Sequence, residues 1–204
     1  MGAARPEEST VALIVGLGNP GPAYEGTRHN AGFLFVRELA RTMGADLRAE
    51  PRFHGLVASA LIEARPIRFL LPTRFMNKSG LSVAALANFY RIPAPRILVA
   101  HDELDIPVGT LRLKQGGGHG GHNGLRDIIS CLGNDRTFCR LRIGIGHPGS
   151  SDLVTNYVLS RPGKADSYAL EASITEAVSV LPDLIAGHWD RSQQRLHSFS
   201  PPCP

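Results

Sequence analysis

Only three cysteines occur in 204 residues, Cys131, Cys139 and Cys203, and no two of them form a C-x-x-C pair. An odd, scattered set excludes a disulfide framework and a cysteine-based zinc or redox motif, and it fits a reducing compartment, the cytoplasm. No apolar run approaches the roughly 18 residues of a membrane span. Residues 1–9 contain no hydrophobic signal core, and Pro6 stands where a myristoylation signal following Gly2 needs Ser or Thr. Neither an H-E-x-x-H helix motif nor a G-x-S-x-G elbow is present, so the usual zinc peptidases and serine-nucleophile hydrolases are set aside. Internal repeats and a domain linker are also missing.

What is present suits one globular unit: 43% apolar and 20% charged residues over this length can bury a sizeable core. The net charge of +4 favours a polyanionic partner without identifying one. Val11 to Val15 reads as a buried strand, followed by a glycine- and proline-rich loop from Gly16 to Pro22. Phe33, Val36, Leu39, Ala40 and Met43 recur at helical spacing, with Asn30 as N-cap and Gly44 as stop. Strands follow at Leu56 to Ile62 and Ile67 to Leu71, around a turn at Arg65-Pro66, then a helix carrying Val83, Leu86, Ala87 and Tyr90. Further strands are expected at Ile97 to Ala100, Leu111 to Leu113 and Leu141 to Ile145, and Leu125, Ile128, Ile129 and Leu132 mark a third helix. Leu170, Ile174, Ala177, Val178 and Leu181 share one face of a late helix, which Pro182 kinks or ends. The alternation predicts an α/β fold, a single-domain three-layer sandwich with a twisted mixed β-sheet flanked by helices. The domain is expected at 11–198, with flexible tails at 1–10 and 199–204.

Gly16, Gly18 and Gly21 match G-x-G-x-x-G directly after a strand, as in dinucleotide-binding folds. That motif needs its last glycine to open a helix, whereas Pro20, Pro22 and the polar run to His29 hold an extended loop. A nucleotide-dependent oxidoreductase is therefore a weaker reading than a tight glycine turn.

Ligands of α/β sheets gather at the carboxyl ends of strands, and polar residues follow several of the expected strands here. Asn19 follows the first, Asn77 the strand at Ile67 to Leu71, and Asp102 the strand at Ile97 to Ala100, while Asn123 opens the third helix. His29 suits a general base, and its position before a helix N-terminus should disfavour the imidazolium form. Asp102 bonded to the second ring nitrogen would fix the tautomer, and asparagine amides would donate to a developing oxyanion. Each residue also has a plain alternative: a surface or capping histidine, a solvated acidic loop, and turn-forming asparagines. His119 and His122 raise a zinc hypothesis, but they lie on flexible glycine with no third ligand nearby.

Six segments, in order and spacing, resemble the bacterial-type peptidyl-tRNA hydrolase family. They are Gly16-Leu17-Gly18-Asn19-Pro20-Gly21, Thr27-Arg28-His29-Asn30-Ala31-Gly32, Phe75-Met76-Asn77, His101-Asp102-Glu103-Leu104-Asp105, the Gly116 to Gly124 loop and Leu141-Arg142-Ile143-Gly144-Ile145-Gly146. The resemblance spans about Val11 to Ser198. It implies a monomeric hydrolase of peptidyl-tRNA left by stalled ribosomes, needing no metal or cofactor. His29 would activate water, Asp102 would orient it, and Asn19, Asn77 and Asn123 would hold the peptide and ester. Tyr24, Phe75, Met76 and His122 would line the cleft, Lys114 and Arg142 would grip the tRNA 5′-phosphate, and Gly146 to Tyr157 would form a mobile lid. A non-catalytic RNA-binding module on the same fold is the rival, and it would have no need of His29.

Overall fold

A computed structural model describes residues 10–202. A seven-stranded sheet in the order β2-β3-β4-β1-β5-β7-β6 forms the middle layer. Its strands are β1 (Leu13–Gly16), β2 (Arg48–Glu50), β3 (Gly55–Ile62), β4 (Arg65–Pro72), β5 (Ile97–Glu103), β6 (Leu111–Gln115) and β7 (Cys139–Gly144). The helices are α1 (Ala31–Thr42), α2 (Ser79–Tyr90), α3 (Asn123–Cys131), α4 (Val154–Val158), α5 (Lys164–Ile185) and α6 (Trp189–Ser198). β4, β1, β5 and β7 run parallel, while β2, β3 and β6 pair antiparallel at the two margins.

The period-two geometry of β1 divides its side chains between two cores. Ile14 faces the core built with α1 and α5, whereas Leu13 and Val15 face the core under α2 and α3. The expected three-layer sandwich is therefore observed. The chain leaves β1 towards β4 on one side and later crosses to β5 on the other, so β1 is the point where the order reverses. Crevices for ligands open at the carboxyl ends of strands at such a point.

Glycine allows α1 to sit on this point. A Cβ on Gly32 would lie 2.2 Å from the Ala100 carbonyl oxygen and 2.5 Å from the Leu17 nitrogen. A Cβ on Gly16 would lie 2.3 Å from the Gly32 carbonyl oxygen. The helix opens at Ala31, well beyond Gly21, so Gly16 serves close strand-to-helix packing rather than a pyrophosphate turn.

Several boundaries differ from expectation. β5 continues to Glu103 because Asp102 pairs in register with Ile143 of β7, so Asp102 is on the strand and not beyond it. The β3–β4 turn falls at Glu63 and Ala64, with φ of 50° and 57°, and Arg65 and Pro66 already belong to β4. Two successive positive φ values give the twist that a tight hairpin requires. α5 continues through Pro182 to Ile185 without a break. α6 was not anticipated; it covers the margin at β6, where Leu113 N–H donates to His197 Nε2 at 2.9 Å and Gln193 Nε2 donates to the Leu113 carbonyl at 3.0 Å. An edge strand is thereby closed to further pairing. The packed region also reaches slightly beyond 11–198, since Thr10 is buried and Phe199 packs on the core, while the expected tail over 1–9 lies outside the described residues. Among the described residues, no helix is long and apolar enough to cross a membrane.

Candidate active site

At the carboxyl ends of β1, β4 and β5 lies a cleft of about 370 Å³ lined by Asn19, His29, Phe75, Met76, Asn77, Asp102, His122 and Asn123. Eight of the residues singled out from sequence thus meet in one place, contributed by five separate stretches of chain. Tyr24 is the exception among the expected cleft residues. It stands behind Phe75, edge to face at 6.2 Å, and supports the rim without lining the cleft. α4 and its end add a mainly apolar wall through Val154, Val158 and Leu159, with Thr155 among them.

Asp102 organises the floor. It is 4% exposed and receives both imidazoles, His29 Nδ1 at 2.9 Å from Oδ2 and His122 Nε2 at 3.0 Å from Oδ1. Burial pushes its carboxyl group upward, but His29 and His122 outweigh burial and hold it well below the usual carboxylate range. The hydrogen bonds also fix each ring. His122 Nδ1 accepts the amides of Gly124 and Leu125 as the N-cap of α3, so its proton must be on Nε2, donated to Asp102. His29 likewise donates from Nδ1 to the carboxylate, which leaves its Nε2 as the lone-pair nitrogen.

For His29 the net shift runs opposite to the direction expected from the helix N-terminus. Burial lowers its pKa, but the charge and hydrogen bond of Asp102 outweigh burial, and the net shift is upward from 6.5. His101, behind the cleft, is different: Nδ1 donates to the Asp102 carbonyl at 2.7 Å, and burial followed by His122 pushes its pKa down to about 3. It is neutral throughout the working range.

Two asparagines present the same end to the cleft. Asn19 Oδ1 is occupied by the Met76 N–H at 2.8 Å, and Asn123 Oδ1 by Arg126 Nη1 at 2.7 Å. Each has its amide N–H₂ remaining as a donor, the polarity an oxyanion requires. Asn77 is exposed on the opposite rim.

A sequence profile described as peptidyl-tRNA hydrolase matches residues 13–202. The peptidyl-tRNA hydrolase of Azotobacter vinelandii is 59% identical over 190 residues, covering 93% of this chain and 98% of the relative. That of Pseudomonas paraeruginosa is 58% identical with the same coverage. The chain belongs to the bacterial-type peptidyl-tRNA hydrolase family. The crystal structure of the peptidyl-tRNA hydrolase from Acinetobacter baumannii superposes with a TM-score of 0.92 at 46% identity, covering 95% of this chain and 98% of that one.

The pair that this family resemblance assigns to phosphate lies in a second hollow, of about 300 Å³, on the β6–β7 side. Lys114 and Arg142 line it with Gly116, Gly117, Gly118 and His119. Arg142 donates through Nε to Glu103 at 2.9 Å, and the Lys114 side chain has no hydrogen bond or ion pair among the described residues. Buried Arg140 ties the loop down by donating to the Gly117 carbonyl at 2.7 Å. His119 faces this hollow while His122 faces the cleft, so the two are not a zinc pair.

His29, Asp102 and His122 do offer ligand atoms within 4.8 Å of one another. A metal held between Asp102 and the ring nitrogens that face it, His29 Nδ1 and His122 Nε2, would displace the protons those atoms donate to the carboxylate. For His122 the exchange would also cost two helix-capping hydrogen bonds. The donor set fits a hydrogen-bonded relay better than a cation.

Three contributors carry little or no sequence signal for the part they play. Val158 and Leu159 extend the cleft wall beyond the Gly146 to Tyr157 segment expected as a lid, and His101 stands in the sequence only as part of a motif. Asn30 reads as an N-cap, but its side chain makes no capping bond and holds Asn19.

Proposed function

We propose that this chain hydrolyses the ester between peptide and tRNA in peptidyl-tRNA, with His29 as general base and without a metal. One observation carries the reading: a buried carboxylate holds His29 Nδ1–H, so that Nε2 is free as a base in a cleft that also presents the Asn19 and Asn123 amides.

Water donates its proton to His29 Nε2 as its oxygen attacks the ester carbonyl. Asp102 compensates the imidazolium that forms. The Asn19 amide donates to the tetrahedral oxyanion, and Asn77 and Asn123 hold the peptide and the reacting ester. Collapse of the intermediate breaks the ester C–O bond, and the imidazolium returns its proton to the departing ribose oxygen. The products are a free peptide carboxylate and tRNA. The α4 side of the cleft receives the peptide together with Phe75 and Met76, Tyr24 braces the rim, and Val154 falls within the segment Gly146 to Tyr157 expected to act as a lid. Lys114 and Arg142 bind the 5′-phosphate, where a lysine of β6 and a partly engaged guanidinium of β7 line one hollow with the glycine-rich loop. The cellular setting is the cytoplasm, where a monomer recycles tRNA left by stalled ribosomes.

The test is release of peptide from purified N-acetyl-aminoacyl-tRNA with chelator present, comparing the wild type with His29→Ala. Chelator-resistant hydrolysis that disappears in the variant is expected. Binding without hydrolysis by the wild type would overturn the reading in favour of an RNA-binding module.

A further inference from the structure

Asn30 occupies the residue before α1, yet both ends of its carboxamide are turned onto the main chain of Asn19. The Asn19 N–H donates to Asn30 Oδ1 at 2.8 Å, and Asn30 Nδ2 donates to the Asn19 carbonyl at 3.0 Å. One such bond would leave the loop free to pivot, whereas two antiparallel bonds fix both position and rotation. A third restraint comes from the Met76 N–H on Asn19 Oδ1 at 2.8 Å. With its backbone and side-chain oxygen both held, Asn19 has only its amide N–H₂ to offer, and the residue lines the cleft.

The surroundings favour this grip. Asn30 is 5% exposed, so water competes little for its bonds. A Cβ on Gly18 would lie 2.6 Å from the Phe33 ring and 3.0 Å from Asn30 Cγ, so a residue without a side chain is what lets the carboxamide lie against the loop. Asn30 faces a separate hollow with Pro20, Pro22 and Phe33 and does not line the cleft. It is also the residue next to His29, on the same short turn at Arg28–Asn30. The base and the clamp on the amide donor are thus consecutive residues of one rigid turn.

We propose that Asn30 is a positioning residue for hydrolysis, aiming the Asn19 amide at the oxyanion without touching substrate. This rests on the hydrolytic reading of the cleft. The test is a cycle of wild type, Asn19→Ala, Asn30→Ala and the double variant, with kcat and KM measured on N-acetyl-aminoacyl-tRNA and folding checked by circular dichroism and thermal melting. Asn30→Ala should lower kcat by about 10- to 100-fold, the effect of a displaced oxyanion donor, with KM within about twofold. In the Asn19→Ala background the same substitution should cost nothing more, because the group it acts through is gone. Should Asn30→Ala fail to fold, Asn30→Asp retains the acceptor for the Asn19 N–H and carries the same cycle, with a smaller loss expected. Additive losses, a defect confined to KM, or wild-type kcat in Asn19→Ala would overturn the inference. An inactive wild type would remove the reading of the cleft and this inference with it, whereas an active wild type with additive losses would remove the inference alone.

Discussion

Replacing Asp102 by asparagine turns one buried oxygen into an amide nitrogen, and the structure determines which one. Oδ1 accepts from His122 Nε2, and His122 cannot offer that nitrogen as an acceptor while its Nδ1 takes the amides of Gly124 and Leu125. The new carboxamide must therefore turn its oxygen to His122 and its N–H₂ to the Oδ2 position, 2.9 Å from His29 Nδ1, which keeps only the oxygen shared with His122, at 3.0 Å, as an acceptor. A donor at that distance opposes the Nδ1 proton and favours the tautomer with its proton on Nε2, the atom that has to accept a proton from water. The base is lost while packing is retained. A wrong tautomer at the corresponding place in a serine-protease triad costs about 10⁴-fold in kcat, or about 5 kcal/mol of transition-state stabilisation. Single-turnover release from N-acetyl-aminoacyl-tRNA measures this directly. KM should stay within about twofold, since a cleft-floor residue that is almost wholly buried under the two imidazoles makes no uniform contact with substrate. His122→Ala releases the constraint on the carboxamide, so Asp102→Asn should cost at least about tenfold less in that background than alone. A variant within about threefold of the wild-type kcat, or equal losses in both backgrounds, would refute the reasoning.

The upward shift of His29 sets the pH dependence: the base is protonated and inactive below its folded pKa, so kcat/KM should fall with acid through a midpoint above 6.5, and a midpoint below that value would contradict the pairing with Asp102. Gly32→Ala forces a methyl group onto the Ala100 carbonyl and the Leu17 amide, with ideal separations of 2.2 and 2.5 Å. It should destabilise the fold by about 3 kcal/mol, lowering the melting temperature by roughly 6–12 °C, and an unchanged melt would show that α1 moves freely. Lys114→Ala should weaken tRNA binding and reduce the slope of log affinity against log salt by about 0.7 to 0.9, and an unchanged slope would remove Lys114 from the phosphate contact.

The sequence alone was enough for the layered α/β architecture, because hydrophobic period is local and β1, α1 and α3 each display it within a few residues. Residue chemistry likewise singles out His29, Asp102 and the asparagines, and the order of six short segments points to the family. Other features follow from contacts between distant segments. The turn at Glu63-Ala64 escaped notice because neither residue type signals positive φ; strand register imposes it. α6 was missed although Leu196 is buried, since its few apolar positions gain meaning only where the helix covers β6. The direction of the His29 shift depends on a carboxylate 73 residues away, and a local argument from the helix terminus gave the opposite sign. Asn30 shows the limit most clearly. Its sequence position reads as a helix cap, but a carboxamide goes to whichever backbone groups the fold brings within reach, and here β1, α1 and two glycines brought it Asn19. Composition and pattern determined which elements form and which groups carry chemistry; only tertiary packing decided which groups meet, and therefore which nitrogen of each ring carries its proton.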